Sequence, residues 1–338
     1  MMSDLGPILI LSIDGGGTRG VIPAQLLYHL EKEAGINVYD SFDFFAGVST
    51  GATIATYCAQ NAGSMEQLAN FSYSSENLSH MFNQSIWDRL LGRMQNQPKY
   101  DGINKRQYID DVCQGLHIND IKDKHLLILA YDFIDRELVT FKNNRGHDAS
   151  YNPSLAEICD ASTAAPTLYP TVDSSAPMRR WLIDGSIATN DPSVCAITEA
   201  LAIGHTFEDL WIISLGTGKP VHDLGQQDRD RIGKASRKWG VVGWLNNGLL
   251  DYMMSASSSV SFHQCEQLLG ERYLRVDGFL PRKLMQLDNT NPKRVEDLRS
   301  YAFLWFEENI KSLRQLLTNV AAVRAETSNS SRVNSLDR

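Results

Sequence analysis

Apolar and polar positions fall into a pattern that repeats along the chain. Residues 7–13 form an apolar run of strand length, as carried by a parallel strand buried on both faces. After a glycine-rich turn, Ile22, Leu26, Leu27 and Leu30 recur at helical spacing within 21–33, and Pro23 suits a first helical turn. The stretch "FDFFAGVSTGATIATYCA" (42–59) repeats the order of strand, tight glycine turn and helix. Residues 125–133 and 138–142 read as strands joined by a turn at Asp135-Arg136, and 154–170 as a helix ending in a proline-terminated turn. "RRWLIDGS" (179–186) and "LWIISLGTG" (210–218) are two further strands that run into glycines. Residues 64–120 are polar and mainly helical, and 219–238 are charged and loop-like. From 239 to 324 the pattern is mostly helical, with a break near 273–282. Strands alternating with helices predict an α/β fold, a three-layer sandwich with a mostly parallel central sheet plus a helical insertion. The expected layout is one domain over 1–325, the insertion at about 64–120, and a disordered tail at 326–338.

The 338 residues are 43% apolar, enough for one large core, and carry a net charge of −8. That charge disfavours nucleic acid as a partner, since a basic surface supplies most of such affinity. It equally disfavours broad electrostatic docking on anionic lipid, while leaving room for a local basic patch. Five cysteines, odd in number and without a CxxC pair, read as reduced thiols. With neither a secretory signal nor an apolar stretch of spanning length, the expected location is the cytoplasm, with any membrane met peripherally.

Four strands end in turns suited to chemistry: Asp14 to Gly17, Gly47 to Gly51, Asp184 to Ser186, and Gly216 to Gly218. In open α/β sheets ligands sit beyond the carboxyl ends of strands, so parallel neighbours would gather these turns on one rim. Gly47-Val48-Ser49-Thr50-Gly51 fits G-x-S-x-G, which sets a serine on a sharp strand-to-helix bend. The plainer alternative is a tight turn with Ser49 as helix cap. A nucleophilic Ser49 needs a base. His205, His222 and His263 follow Asp184 in the chain, but none lies at a convincing strand-end turn. Asp184 follows a strand directly and precedes Gly185, so it is the better base, its alternative being a turn cap. Gly15, Gly16 and Gly17 can then bare successive N–H groups to an oxyanion. Arg19 adds charge or buttresses that loop by pairing with an acid, and Asp14 orders the turn. The spacing Gly15-x-Gly17-x-x-Gly20 also fits a dinucleotide fingerprint, with Asp40 as its acid, but that reading leaves the other turns unexplained. Residues 240–254, rich in Val, Leu, Trp and Met, suit a lipid-facing groove or a helix buried on the sheet. Lys234, Arg237 and Lys238 nearby suit phosphate headgroups or a solvated face.

Asp14-Gly15-Gly16-Gly17-Thr18-Arg19-Gly20, Gly47 to Gly51 and Asp184-Gly185 resemble the patatin-like phospholipases in order and spacing. "ASTAAPTLYP" (161–170) resembles the block before that family's catalytic Asp strand, and "SLGTG" (214–218) its next strand end. The likeness covers Ile8 to Gly218 well and continues more loosely to Val276. It implies lipid acyl hydrolysis by a Ser–Asp dyad without histidine, metal or cofactor. Ser49 is then the nucleophile, Asp184 the base, and Gly15, Gly16, Gly17 and Arg19 the oxyanion loop, flanked by Gly47, Gly51 and Gly185. Ser186 departs from the Gly or Ala common in the family at that position. Membrane phospholipid becomes the expected substrate. Some bacterial members stay inactive until a cyclic nucleotide second messenger binds, within antiphage defence, which implies such an activator here and 64–120 as a regulatory surface. Self-association into a homo-oligomer is left open, as are a dinucleotide-dependent enzyme and a catalytically dead protein of the same fold.

Overall fold

Along β1, Ile8–Ile13, every residue is buried, because the strand is covered on both faces. Leu9, Leu11 and Ile13 belong to one apolar cluster and Ile8 and Ile10 to another, as the two-residue period of a strand requires. A computed structural model describes residues 5–83, 97–144, 151–174, 179–221 and 225–336. The other strands are β2 Phe44–Val48, β3 His125–Asp132, β4 Glu137–Lys142, β5 Val172–Ser174, β6 Arg180–Asp184, β7 Leu210–Leu215, β8 Lys219–Pro220, β9 Tyr273–Val276 and β10 Phe279–Leu280. The main sheet runs β5-β6-β3-β2-β1-β7-β9, with β4 paired to β3. Its centre is parallel: β1 pairs with β2 and β7, β2 with β3, and β7 with β9. One face packs against helices Val21–Lys32 and Pro292–Leu336, the other against Ser193–Ala202 and Leu249–Leu269.

Several expectations are corrected. β6 is antiparallel to β3, not a parallel neighbour. Residues 219–238 are not all loop: Gln226–Ser236 is helical, and its polarity reflects that none of its residues is buried. The final helix continues to Leu336, through the segment expected to be a disordered tail. No glycine or proline follows Pro292, so nothing in the sequence stops the i→i−4 ladder. Within 64–120 the structure has the helices Met65–Gln67, Ser75–Met81 and Ile103–Cys113, with a π-helical turn at Leu68–Ser72. Residues 84–96 of that insertion lie outside the described residues.

Candidate active site

The register of three strands brings Ser49 and Asp184 together. β4 occupies one edge of β3 from Leu127 to Asp132. β2 takes the other edge up to Leu129, which faces Val48. β6 pairs only with Ala130 to Asp132, so it must share β2's edge and meet β2 end to end. Asp184 faces Ala130, the position next to the one where β2 stops, and Ser49 is the residue that follows β2. Ser49 Oγ donates to Asp184 Oδ2 at 2.6 Å, across 135 positions of sequence.

Ser49 sits at φ 54, ψ −127, a conformation that L-residues rarely adopt, at the start of helix Thr50–Ala59. Only glycines fit beside it. A Cβ on Gly47 would lie 2.2 Å from the Gly51 carbonyl oxygen, and one on Gly51 would lie 2.2 Å from that of Ile13. Ser162 Oγ accepts the Ser49 N–H at 2.9 Å and donates to the Leu129 carbonyl at 2.6 Å, pinning the bend to β3. Asp184 is buried, and its other oxygen accepts the Ser186 N–H at 2.8 Å. Burial raises its pKa; the hydrogen bonds from Ser49 and Ser186 and the charge of Lys105 oppose that rise. Gly185 passes close to the Leu129 carbonyl, where a side chain would collide.

The glycine run is divided in role. Gly15 N–H is taken by the Asn190 carbonyl at 3.2 Å, so it is not a bare donor. Thr217 Oγ1 donates to the Gly15 carbonyl at 2.7 Å, and Arg19 Nε donates to the Gly16 carbonyl at 3.3 Å. A trans peptide points its N–H away from its own C=O. Anchoring these two carbonyls therefore turns the N–H groups of Gly16 and Gly17 the opposite way. Neither amide has an acceptor among the described residues, and both glycines line the cavity that holds Ser49 and Asp184. Arg19 is buried and, among the described residues, pairs with no acid; it also donates to the Gly218 carbonyl at 3.1 Å. Its place is behind the loop, holding it.

Asp14 faces away from Ser49, into a buried ion cluster. Arg275 donates to both its oxygens, at 2.7 and 2.6 Å, and also reaches Asp191 at 3.2 Å and Asp277 at 3.0 Å. Three carboxylates share one guanidinium, so burial outweighs the pairing and pushes the Asp14 pKa up to about 7. Asp277 in turn accepts the Gly218 N–H at 3.0 Å, which ties the fourth glycine turn to the same cluster. Ser162, Thr217, Lys105 and Arg275 are functional positions without a motif of their own in the sequence. Ser162 and Thr217 lie inside the blocks 161–170 and 214–218, whereas Lys105 and Arg275 carry no local signature.

The cavity has a volume of about 450 Å³. Its wall is largely apolar, with Phe82, Tyr108, Ile109, Leu168 and Met254, and Lys105 lies buried in it. Lys105 Nζ is 2.8 Å from Asp160 Oδ1 and 4.7 Å from the Tyr169 ring centroid. No histidine among the described residues lines this cavity. His205 Nδ1 lies 3.1 Å from the Gly6 carbonyl oxygen, His263 is exposed, and His222 lies outside the described residues. Asp40 is exposed in the short helix Val38–Ser41, not at a strand end as the dinucleotide reading needs.

The fold and this geometry put the chain among hydrolases built on a parallel α/β sheet. Comparison with known proteins narrows the class. The family model for patatin-like phospholipase matches residues 11–194, and the chain belongs to that family, whose members are lipid acyl ester hydrolases. It is 28% identical to Patatin-like protein 2 of Oryza sativa subsp. indica, over 90% of this chain and 84% of that protein. It is 29% identical to Patatin-like protein 3 of Arabidopsis thaliana, over 86% and 78% of the two chains. Human GIVD cytosolic phospholipase A2, solved with methyl gamma-linolenyl fluorophosphonate, aligns with a TM-score of 0.48 and 11% identity, over 95% of this chain and 60% of that one.

Proposed function

We propose that this protein cleaves fatty acyl esters of membrane phospholipids through a Ser49–Asp184 dyad and an acyl-enzyme. The observation that carries the reading is the 2.6 Å hydrogen bond from Ser49 Oγ to a buried carboxylate. Asp184 takes the hydroxyl proton as Ser49 Oγ attacks the ester carbonyl. The oxyanion is met by the Gly16 and Gly17 amides, each donor of this kind contributing about 2.7–4 kcal/mol. Collapse expels the lysolipid alcohol, which leaves with the proton from Asp184. Water, deprotonated by the same carboxylate, then attacks the acyl-enzyme and frees the fatty acid. Burial makes Asp184 a stronger base than an exposed carboxylate. A fluorophosphonate probe should label the protein and spare Ser49→Ala, while Asp184→Asn slows both labelling and hydrolysis. Labelling of Ser49→Ala at the wild-type rate rejects the dyad, and a wild type that stays unreactive with cyclic di- and trinucleotides present favours an inert protein of the same fold.

We also propose that a cyclic nucleotide switches this activity on, in an antiphage effector. Supporting it is a second cavity of about 840 Å³ behind the glycine loop. Arg19 and Thr217, which hold the loop carbonyls, form part of its wall, beside Lys219, Trp239 and Arg282. A ligand there would act on the oxyanion amides through those two contacts. A panel of cyclic di- and trinucleotides assayed with a fluorogenic phospholipid tests it; no stimulation by any member removes the idea.

A further inference from the structure

Among the described side chains of 240–254 none is buried on the sheet. Val241 is 78% exposed, Val242 69% and Trp244 38%, on the short helix Val241–Asn246. Tyr252 and Met253, at the start of the next helix, are 44% and 49% exposed, and Met253 lines the cavity that holds Ser49. Trp244 packs edge-on against Trp239 at 5.2 Å and against Tyr252 at 6.2 Å, joining the exposed aliphatic side chains into one patch. The helix Gln226–Ser236 beside it buries no residue. Residues 226–244 carry five basic and two acidic side chains, a net +3 in a chain of net −8. Arg231 pairs with Asp228 at 2.9 Å. Lys234, Arg237 and Lys238 are exposed and make no ion pair among the described residues.

We infer that this face, Gln226–Ser236 with Val241–Asn246, docks on an anionic phospholipid bilayer and seats the mouth of the Ser49 cavity against it. The inference rests on the acyl hydrolase reading. Aliphatic tips, a belt of Trp and Tyr, and a cationic rim are the three parts of an interfacial anchor. The local charge is opposite to that of the whole chain and complements acidic headgroups, so this face attracts them despite the net charge of −8. No helix among the described residues is long and apolar enough to cross a membrane.

The full-length Ser49→Ala protein, which cannot consume the vesicles, is sedimented with vesicles of phosphatidylcholine with and without phosphatidylglycerol. It should pellet with the anionic vesicles and be released by salt. Adding Lys234→Glu, Arg237→Glu and Lys238→Glu should weaken partitioning on the order of 100-fold. Adding Val241→Ser, Val242→Ser and Trp244→Ser should weaken it about tenfold or more. Hydrogen exchange on the unaltered face should slow over 226–254 when anionic vesicles are added, a readout independent of how the variants fold. With Ser49 restored, both triple variants should hydrolyse a monomeric short-chain ester at the wild-type rate and fail on vesicles. Undiminished vesicle binding by both variants, or protection elsewhere only, overturns the docking face; capture of a protein in place of lipid does the same. If the wild type cannot cleave the short-chain ester even with the panel of cyclic di- and trinucleotides present, the hydrolase reading falls while the sedimentation result still decides the surface.

Discussion

Ser162→Ala is the sharpest test of how the bend at Ser49 is held. The hydroxyl is fully buried and serves two backbone groups, the Ser49 N–H at 2.9 Å and the Leu129 carbonyl at 2.6 Å. Removing it strands both, and a buried polar group left unpaired costs about 1–3 kcal/mol. The space vacated by one oxygen is too small to admit a water. The expected loss of stability is therefore about 2–6 kcal/mol, read from urea unfolding. The rate should fall as well. Ser49 is held at φ 54, against its own preference, and a nucleophile that drifts by an ångström loses on the order of 100-fold. The control is Ser154→Ala at the other end of the same helix, where the side chain caps the Glu157 N–H at 3.1 Å. That change should cost about 1 kcal/mol and leave kcat on a monomeric ester unchanged. If Ser162→Ala keeps kcat within twofold of wild type, or if both variants lose rate equally, the support assigned to Ser162 is wrong.

Because burial raises the pKa of Asp184, the acidic limb of kcat/KM should lie above the usual carboxylate value of 3.8, with rate rising as pH increases through it. Lys105 opposes that rise, so Lys105→Met should move the limb further up and Lys105→Arg should restore it; a limb that stays put in both variants refutes the coupling. Arg275→Met leaves three buried carboxylates around an empty place and should destabilise the fold by about 3–5 kcal/mol near neutral pH. The sign follows from Asp14, which holds its proton up to about 7 when folded, whereas an ordinary carboxyl loses it near 3.8. Between those values only the unfolded chain gives up the proton, so stability falls as pH rises. Without the Arg275 charge, which lowers the pKa of Asp14 and Asp277, the variant loses more stability with rising pH than the wild type does. Its deficit should therefore shrink in acid, and urea melts showing it constant across that window refute the coupling.

Much of the fold was legible because β1, β2 and β7 are apolar on both faces and each runs into glycine, β1 and β2 with a helix directly after. The G-x-S-x-G turn was legible for the same reason. The direction of β6 was not: five residues carry no mark of polarity, and only pairing with β3 decides it. The glycine run gave the place of a backbone loop but not its division of labour, since Gly15 N–H is spent on Asn190, which is distant in sequence. Arg275 sits in a four-residue strand without a motif, and its importance comes from three aspartates that only the fold gathers. Helix Gln226–Ser236 buries none of its residues and so lacks the hydrophobic period by which helices are found.

The end-to-end abutment of β2 and β6 makes β3 a common ruler for hydroxyl and carboxylate. Side chains alternate faces with a period of two, so a one-step slip of β6 does not weaken the pair by degrees; it turns residue 184 to the opposite side of the sheet. Competence is in this sense digital. The chain between residues 60 and 124 can lengthen or shorten over generations without changing this register, provided that three backbone rungs on β3 keep their count.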